Sequence, residues 1–124
     1  MWRAICYKAF TITMSFSDAA ATCRGDGGTL AMPRDVETNA FLVSVFKSLH
    51  GYPRFWIGLR RQHREGSFEW VDGSALGDYK PWALRKPDLS GDCVFYSSTL
   101  EGKWINIQCD SLDYFICQVA PARG

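Results

Sequence analysis

The first half of the chain carries two segments with the spacing of amphipathic helices. Ser15-Phe16-Ser17-Asp18 has the pattern of a helix-capping box, and glycines from Gly25 onward end the alanine-rich run that follows it. A second run starts at Pro33-Arg34-Asp35, and its apolar residues recur at three- and four-residue steps. These residues are Leu42, Val45, Phe46 and Leu49, before Gly51 and Pro53. We therefore predict two helices, the second with its apolar face in the core.

Apolar runs of strand length make up most of the remainder. One opens the chain at residues 2–10, and five more follow the second helix, at residues 55–59, 67–71, 93–96, 103–105 and 114–117. Turn signals at Asp72-Gly73 and Glu101-Gly102 separate neighbouring runs. Helices early and strands late predict an α+β domain in which two helices pack on antiparallel sheets.

Regular patterning is lost between about residues 76 and 92. This stretch contains Pro81, Pro87, two glycines and mixed charges. An irregular segment of that length inside a compact domain is usually functional. We therefore predict that this long loop is the binding loop.

Composition and length narrow the class of protein. A chain of 124 residues predicts a single domain, 1–124, and a hydrophobic fraction of 47% predicts a packed core. The formal net charge of +1 gives no reason to expect nucleic acid or a membrane surface as partner. We find no apolar stretch of about 18 residues and no leader pattern, so we expect neither a membrane span nor a signal peptide. The two histidines lie outside any catalytic motif, which favours a binding domain over an enzyme.

Five cysteines in so short a chain indicate an oxidising compartment, and hence a secreted or extracellular protein. They are Cys6, Cys23, Cys93, Cys109 and Cys117. No pair has CxxC spacing, and both histidines lie far from every cysteine, so disulfides are favoured over a zinc site. Because five is an odd number, at least one cysteine has no disulfide partner within this sequence.

The chain resembles the C-type lectin-like domain family over residues 6–118. The motifs that carry the resemblance follow the family's order: Cys6-Tyr7-Lys8-Ala9-Phe10, Asp18-Ala19 with Cys23, Gly28-Thr29-Leu30-Ala31, Trp56-Ile57-Gly58-Leu59, Glu65-Gly66-Ser67-Phe68-Glu69-Trp70-Val71-Asp72-Gly73, Trp82, Asp92-Cys93-Val94, Gly102-Lys103-Trp104, Cys109 and Tyr114-Phe115-Ile116-Cys117. The resemblance implies the C-type lectin fold, the disulfides Cys23–Cys117 and Cys93–Cys109, and a cis bond before Pro87.

Cys6 has two explanations. Long-form members of the family carry a further cysteine about ten residues upstream of its position, so the resemblance implies a partner that this sequence lacks. The alternative is an intermolecular disulfide that makes a dimer.

The resemblance also places the family's calcium and sugar site. Sugar-binding members use a Glu-Pro-Asn or Gln-Pro-Asp tripeptide, a Glu, and a Trp-Asn-Asp tripeptide. The matching positions here are Lys86-Pro87-Asp88, Gly91 and Trp104-Ile105-Asn106. Because Ca²⁺ takes about six to eight oxygen ligands, Asp88 and Asn106 alone predict a degenerate metal site and no resident cofactor. At the family's auxiliary site Arg61 replaces an acidic ligand, although Glu65 matches.

Two interpretations of the substituted charges remain open. In the first, Lys86 pairs with Asp88 and Asp92 and orders the loop without metal. In the second, a basic surface binds anionic glycans or acidic proteins through arginine forks. Its residues would be Arg60, Arg61, His63, Arg64, Arg85 and Lys86.

The sequence thus predicts a domain that recognises carbohydrate or microbial-surface ligands, as in innate immune pattern recognition, without the usual calcium-dependent site. The alternative is a calcium-independent protein-binding receptor module. Trp82 is expected in the core beneath the loop, with stacking on a sugar as the alternative.

Overall fold

The computed structural model describes residues 5–46, 54–63, 66–97 and 102–119. Within these ranges the chain forms two helices and seven strands. In chain order they are β1 (Cys6–Met14), α1 (Phe16–Gly25), β2 (Thr29–Leu30), α2 (Val36–Phe46), β3 (Arg54–Arg60), β4 (Glu69–Trp70), β5 (Cys93–Ser97), β6 (Lys103–Ile107) and β7 (Asp113–Val119). Parts of the sequence predictions fall on Trp2, Leu49, Gly51, Pro53 and Glu101, which lie outside the described residues.

The strands form one sheet in the order β1-β7-β3-β5-β6, with β2 paired to β7 and β4 paired to β3. Neighbouring strands are antiparallel except β3 and β7, which run parallel. The predicted α+β fold of two helices on a sheet is therefore confirmed, and the sheet is mixed. The two-residue strand β2 was not predicted from its short sequence.

Helix α1 begins where the sequence predicts it. The Ser15 side chain accepts a hydrogen bond of 3.3 Å from the amide of Asp18, which caps the first turn. The helix buries Phe16, Ala19 and Cys23 on one face. It ends before Gly27, whose φ of 85° suits glycine.

The core occupies both faces of the sheet. Residues 55–59 of β3 are all buried, which explains the continuous apolar run in the sequence. Because side chains alternate along a strand, Phe55 and Ile57 pack with Tyr96, whereas Trp56 packs on the other face. There the Phe16 ring meets Trp56 edge to face at 5.5 Å. Helix α1 thus covers one face of the sheet.

Both predicted disulfides are confirmed. Cys23 on α1 is bonded to Cys117 on β7, and Cys93 on β5 is bonded to Cys109. Cys6 is a free and exposed cysteine, as both explanations for it require.

The predicted long loop lies between β4 and β5, and its regular structure is limited to an isolated bridge at Trp82. The half-buried Trp82 packs against Phe68 at 5.1 Å and against Trp104 at 5.7 Å between ring centroids. This packing supports the core position that was favoured for Trp82. The peptide bond between Lys86 and Pro87 is cis, as the resemblance implied.

Across the described part of the chain, neither helix has the length and apolar character needed to span a bilayer.

Candidate ligand-binding site

The Arg61 side chain is buried and forms its contacts within the domain. It follows β3, only 7% of it is exposed, and its Nε donates to Asp92 Oδ1 at 2.8 Å. Its Nη2 donates to the carbonyl oxygens of Asp88 at 2.6 Å and Gly91 at 2.9 Å. The guanidinium also lies 4.7 Å from the centre of the Phe68 ring. Arg61 therefore binds the end of the long loop. The basic-surface interpretation required an exposed Arg61, and the structure shows a buried one.

Lys86 is paired within the loop. Its Nζ lies 2.9 Å from Asp88 Oδ2, and the other carboxylate oxygen of Asp88 accepts from the Ser90 amide at 2.9 Å. The hydrogen bond from Lys86, followed by those from Ser90, holds the pKa of Asp88 well below its usual range. The loop-ordering interpretation expected this pair. It also expected Lys86 to pair with Asp92, whose partner is Arg61 instead.

Asn106 is 1% exposed and is more deeply buried than Arg61, the other side chain that binds the loop backbone. Its Nδ2 donates to the carbonyl oxygens of Asp88 and Gly91, each at 2.8 Å. Its Oδ1 accepts from the Asp88 amide at 3.2 Å. Both ends of the amide are thus engaged with the loop backbone.

Gly91 is buried against the strand that carries Asn106. A Cβ atom at this position would lie 1.9 Å from the carbonyl carbon of Ile107 and 2.1 Å from its oxygen. The backbone here therefore has no room for the Glu that sugar-binding members carry at the matching position.

These contacts allow a direct test of fit for calcium at the family's site. Asp88 is engaged by Lys86, the side-chain oxygen of Asn106 accepts a hydrogen bond from the loop, and Gly91 provides no side chain. Among the described residues, no group of three or more histidines, cysteines and acidic residues is placed to hold a metal ion. The residues present do not fit the ligand set that Ca²⁺ requires.

The remaining residues of the considered basic surface lie on different parts of the chain. Arg85 is exposed on the long loop with a φ of 65°, and His63 is exposed after β3. Arg60 is half-buried and lines a groove on the side of α1. Arg64 and Glu65 lie outside the described residues. Arg61 forms hydrogen bonds to the long loop from outside it, from the end of β3.

A cleft of about 560 Å³ lies beside the long loop. Its walls include the aromatic rings of Phe68 and Trp82 and the exposed Lys80. Leu76, Pro87, Ser67, Gly66 and Arg61 complete the lining. A volume of this size is within the range of small-ligand sites, about 300–1,000 Å³. Lys80 was not singled out from the sequence, because a lysine among mixed charges carries no distinguishing signal.

Two helices on a mixed sheet, two disulfides and a long loop that borders a cleft define a C-type lectin fold. The model of the Lectin C-type domain matches residues 12–119. The chain belongs to the C-type lectin domain family.

Individual proteins agree with this assignment. The chain is 37% identical over 114 residues to the C-type lectin domain family 3 member A homolog of Xenopus laevis, with 91% of the chain and 59% of that protein covered. It is 40% identical over 112 residues to Collectin-10 of Gallus gallus, with 88% and 39% covered. The chain therefore spans less than two thirds of the length of either relative.

A solved structure shows the same fold. The mouse scavenger receptor C-type lectin carbohydrate-recognition domain superimposes with a TM-score of 0.87 at 27% identity, covering 100% of this chain and 94% of that one. The chain is thus a lectin-like binding domain, and its two disulfides are typical of extracellular proteins.

Proposed function

We propose that this domain, acting as a binding module and not as an enzyme, recognises carbohydrate at the cleft beside the long loop without a calcium ion. We further propose that it is secreted and that its ligands include glycans of microbial surfaces. Similarity to a domain described as carbohydrate-recognising supports the ligand class. The engagement of Asp88 and Asn106 within the loop carries the proposal of calcium independence.

The cleft offers the two kinds of contact that a sugar uses. The half-buried Trp82 presents part of an aromatic ring, on which the apolar face of a sugar can pack. Lys80 and Arg85 contribute positive charge at and near the loop, while the charge of Lys86 is balanced by Asp88. An anionic sugar is therefore preferred over a neutral one.

A glycan array probed with and without a calcium chelator tests this proposal. Binding should be unchanged by the chelator and should fall as salt rises, because exposed charges are screened. Lys80→Glu should remove the binding of those anionic glycans that the cleft recognises. The matched control, Lys103→Glu, changes an exposed lysine on β6 that does not line the cleft. Binding that the chelator abolishes would overturn the proposal.

Calorimetry provides a direct measurement of calcium. Millimolar Ca²⁺ should produce no binding heat and no rise in the melting temperature, since a bound ion would stabilise the folded state by mass action. A stoichiometric site with a dissociation constant in the micromolar range would contradict calcium independence.

A second function, protein binding, is favoured by one observation. Leu84 and Leu89 of the long loop are 89% and 62% exposed, and exposed leucines on a binding loop suit a protein partner. Leu84→Asn with Leu89→Asn should leave glycan binding unchanged if the cleft binds sugar. Two results together would favour the protein-binding function. The unaltered domain would bind no glycan on the array, and the leucine variant would lose binding to an intact microbial or cell surface.

A further inference from the structure

A groove of about 470 Å³ lies on the side of the sheet that α1 covers. Phe16, Ala20 and Arg24 line it from one helix face, since residues four apart in sequence lie above one another on a helix. Arg60, at the end of β3, lines the groove from the sheet. A smaller adjoining cavity of about 120 Å³ shares these four residues and continues towards Leu30 and Val71.

Arg24 and Arg60 bring positive charge into this groove. Neither guanidinium forms an ion pair or a hydrogen bond with any described residue. Glu69 is opposite Arg60 in the β3–β4 register, yet the two are not joined in a salt bridge. Asp92 also lines the groove, but its carboxylate is bonded to Arg61. The groove therefore carries two arginine forks available to an anion.

The rest of the lining indicates what kind of anion fits. Ser17 and Gln62 are exposed polar side chains that both donate and accept hydrogen bonds, as sugar hydroxyls require. Ala20 and the Cys93–Cys109 disulfide add apolar surface to the lining of the groove. An extended peptide would find no open strand edge here, because β3 is paired on both sides at Arg60, with β4 and with β5.

We propose that this groove is a second binding site, specific for a sulfated oligosaccharide. Sulfate groups pair with the forks of Arg24 and Arg60, and the sugar rings lie between them against Ala20 and the disulfide. The groove and the cleft beside the long loop share one lining residue, Arg61, whose guanidinium is bonded to Asp92 and the loop carbonyls. Arg24 and Arg60 line only the groove, so binding there does not depend on carbohydrate binding in the cleft.

The test uses calorimetry with a heparin-derived tetrasaccharide and its fully desulfated, N-acetylated counterpart. The sulfated probe should bind, and the desulfated probe should not. Arg24→Ala with Arg60→Ala should weaken binding at least about tenfold, because two charge-assisted fork contacts are lost. Arg24→Lys with Arg60→Lys should bind at an intermediate level, since the ammonium keeps the charge without the fork.

A matched control separates this site from general attraction between charges. Lys8→Ala with Lys103→Ala removes two exposed cations that do not line the groove, and its affinity should stay within about twofold of the unaltered domain. Lys80→Glu should likewise leave tetrasaccharide binding intact, even if it abolishes binding at the loop cleft. The two proposed binding sites are thus tested independently of each other. The melting temperatures of the variants should lie close to that of the unaltered domain, because none of the replaced side chains forms a salt bridge with a described residue. The position of Arg24 in the last turn of α1 and the contact of Lys8 with the Phe10 ring should each contribute less than about 1 kcal/mol.

Three results would overturn the proposal. They are equal binding of the desulfated probe, an equal loss of affinity in the Lys8 and Lys103 control, and competition by a hexaglutamate peptide at the same concentration as the tetrasaccharide. The last result would replace the sugar with an acidic peptide. In a two-dimensional NMR spectrum, the Nε–Hε signals of Arg24 and Arg60 should shift on addition of the tetrasaccharide, and unshifted signals would place the ligand elsewhere.

Discussion

Arg61 and Asn106 donate hydrogen bonds to the same atom, the carbonyl oxygen of Gly91, at 2.9 and 2.8 Å. Arg61 reaches it from the end of β3, and Asn106 reaches it from β6. Both side chains also bind the carbonyl oxygen of Asp88. The end of the long loop is therefore fixed to two separate strands through two backbone carbonyls.

Replacing Asn106 by Ala should destabilise the domain. The Asp88 amide would lose its acceptor in a buried place, and two carbonyls would each lose one donor. We expect a loss of about 2–3 kcal/mol in the free energy of unfolding, measured by urea denaturation. Gln108→Ala, at an exposed position two residues along the chain, should change it by less than about 0.5 kcal/mol. Equal midpoints for the two variants would contradict this role of Asn106.

Replacing Arg61 by Met should be more costly. Asp92 would remain without its cationic partner, and the carbonyls of Asp88 and Gly91 would each lose a charged donor. We expect a loss of about 3 kcal/mol in unfolding free energy. Arg60→Met, the neighbouring arginine without an ionic partner, serves as the control and should differ little from the unaltered chain. A small effect at Arg61 would show that the loop does not depend on its guanidinium.

The fold could be predicted from the sequence, whereas the different roles of the adjacent Arg60 and Arg61 could not. The motifs around Trp56, Cys93 and Cys117 predicted the fold and both disulfides, because their order along the chain is specific. Alternation along β3 places Leu59 and Arg61 on one side and Arg60 on the other, but the sequence does not say which side a charged residue after the strand takes. That choice depends on Asp92 and two carbonyls from a loop about 30 residues away.

The groove residue Arg24 was missed for a related reason. Its spacing of four from Ala20 was visible, yet a basic residue in the last turn of a helix is common, because it interacts favourably with the helix dipole. Its relation to Arg60 appears only when α1 packs on the sheet. Conversely, the replacement of expected calcium ligands by Lys86 and Ile105 is visible in the sequence, since neither side chain carries an oxygen donor.

Gly91→Glu should fail to restore a calcium site. The new Cβ would overlap the backbone of Ile107, so the strand or the loop must move. We expect destabilisation by about 3 kcal/mol and no binding heat with Ca²⁺. Gly77→Glu is the matched control, because no atom lies within 4 Å of a Cβ built at Gly77. A stable Gly91→Glu variant that binds calcium would contradict the geometry described for this position.

The two disulfides should differ in their contribution to stability. Cys23 and Cys117 are separated by 94 residues, and Cys93 and Cys109 by 16. On the loop-entropy model, replacing the first pair by alanine should cost about 4.7 kcal/mol and the second about 3 kcal/mol. Thermal unfolding of the two double variants measures the difference. Cys6→Ala removes only an exposed free thiol, so its melting temperature should not change.

Acid should weaken the turn that follows β4. Hydrogen bonds from the Ser74 hydroxyl and amide, and then from Arg34, lower the pKa of Asp72 from 3.8 to about 2. The ionised carboxylate thus stabilises the fold above about pH 4, and this contribution is lost as pH falls from about 4 to about 2. Because Arg34 and Asp72 are 40% and 39% exposed, we expect less than about 1 kcal/mol.

Asp72→Asn should therefore show a shallower loss of unfolding free energy between pH 4 and pH 2 than the unaltered domain, measured by urea denaturation at each pH. Asp110→Asn makes the same charge change at an exposed residue outside this turn. If the Asp110 variant alters the slope as much as the Asp72 variant, general charge repulsion accounts for the effect.

The positive charges that contact the long loop belong to side chains, Arg61 and Lys86, and not to a bound metal ion. A metal ion leaves when its free concentration drops, as happens when a protein moves from blood plasma into an acidifying vesicle. The Arg61 guanidinium cannot dissociate, and it stays charged throughout the physiological pH range. The contacts made by Arg61 should therefore persist where calcium is scarce or the pH is mildly acidic, so that the loop keeps its conformation under conditions that would empty a calcium site.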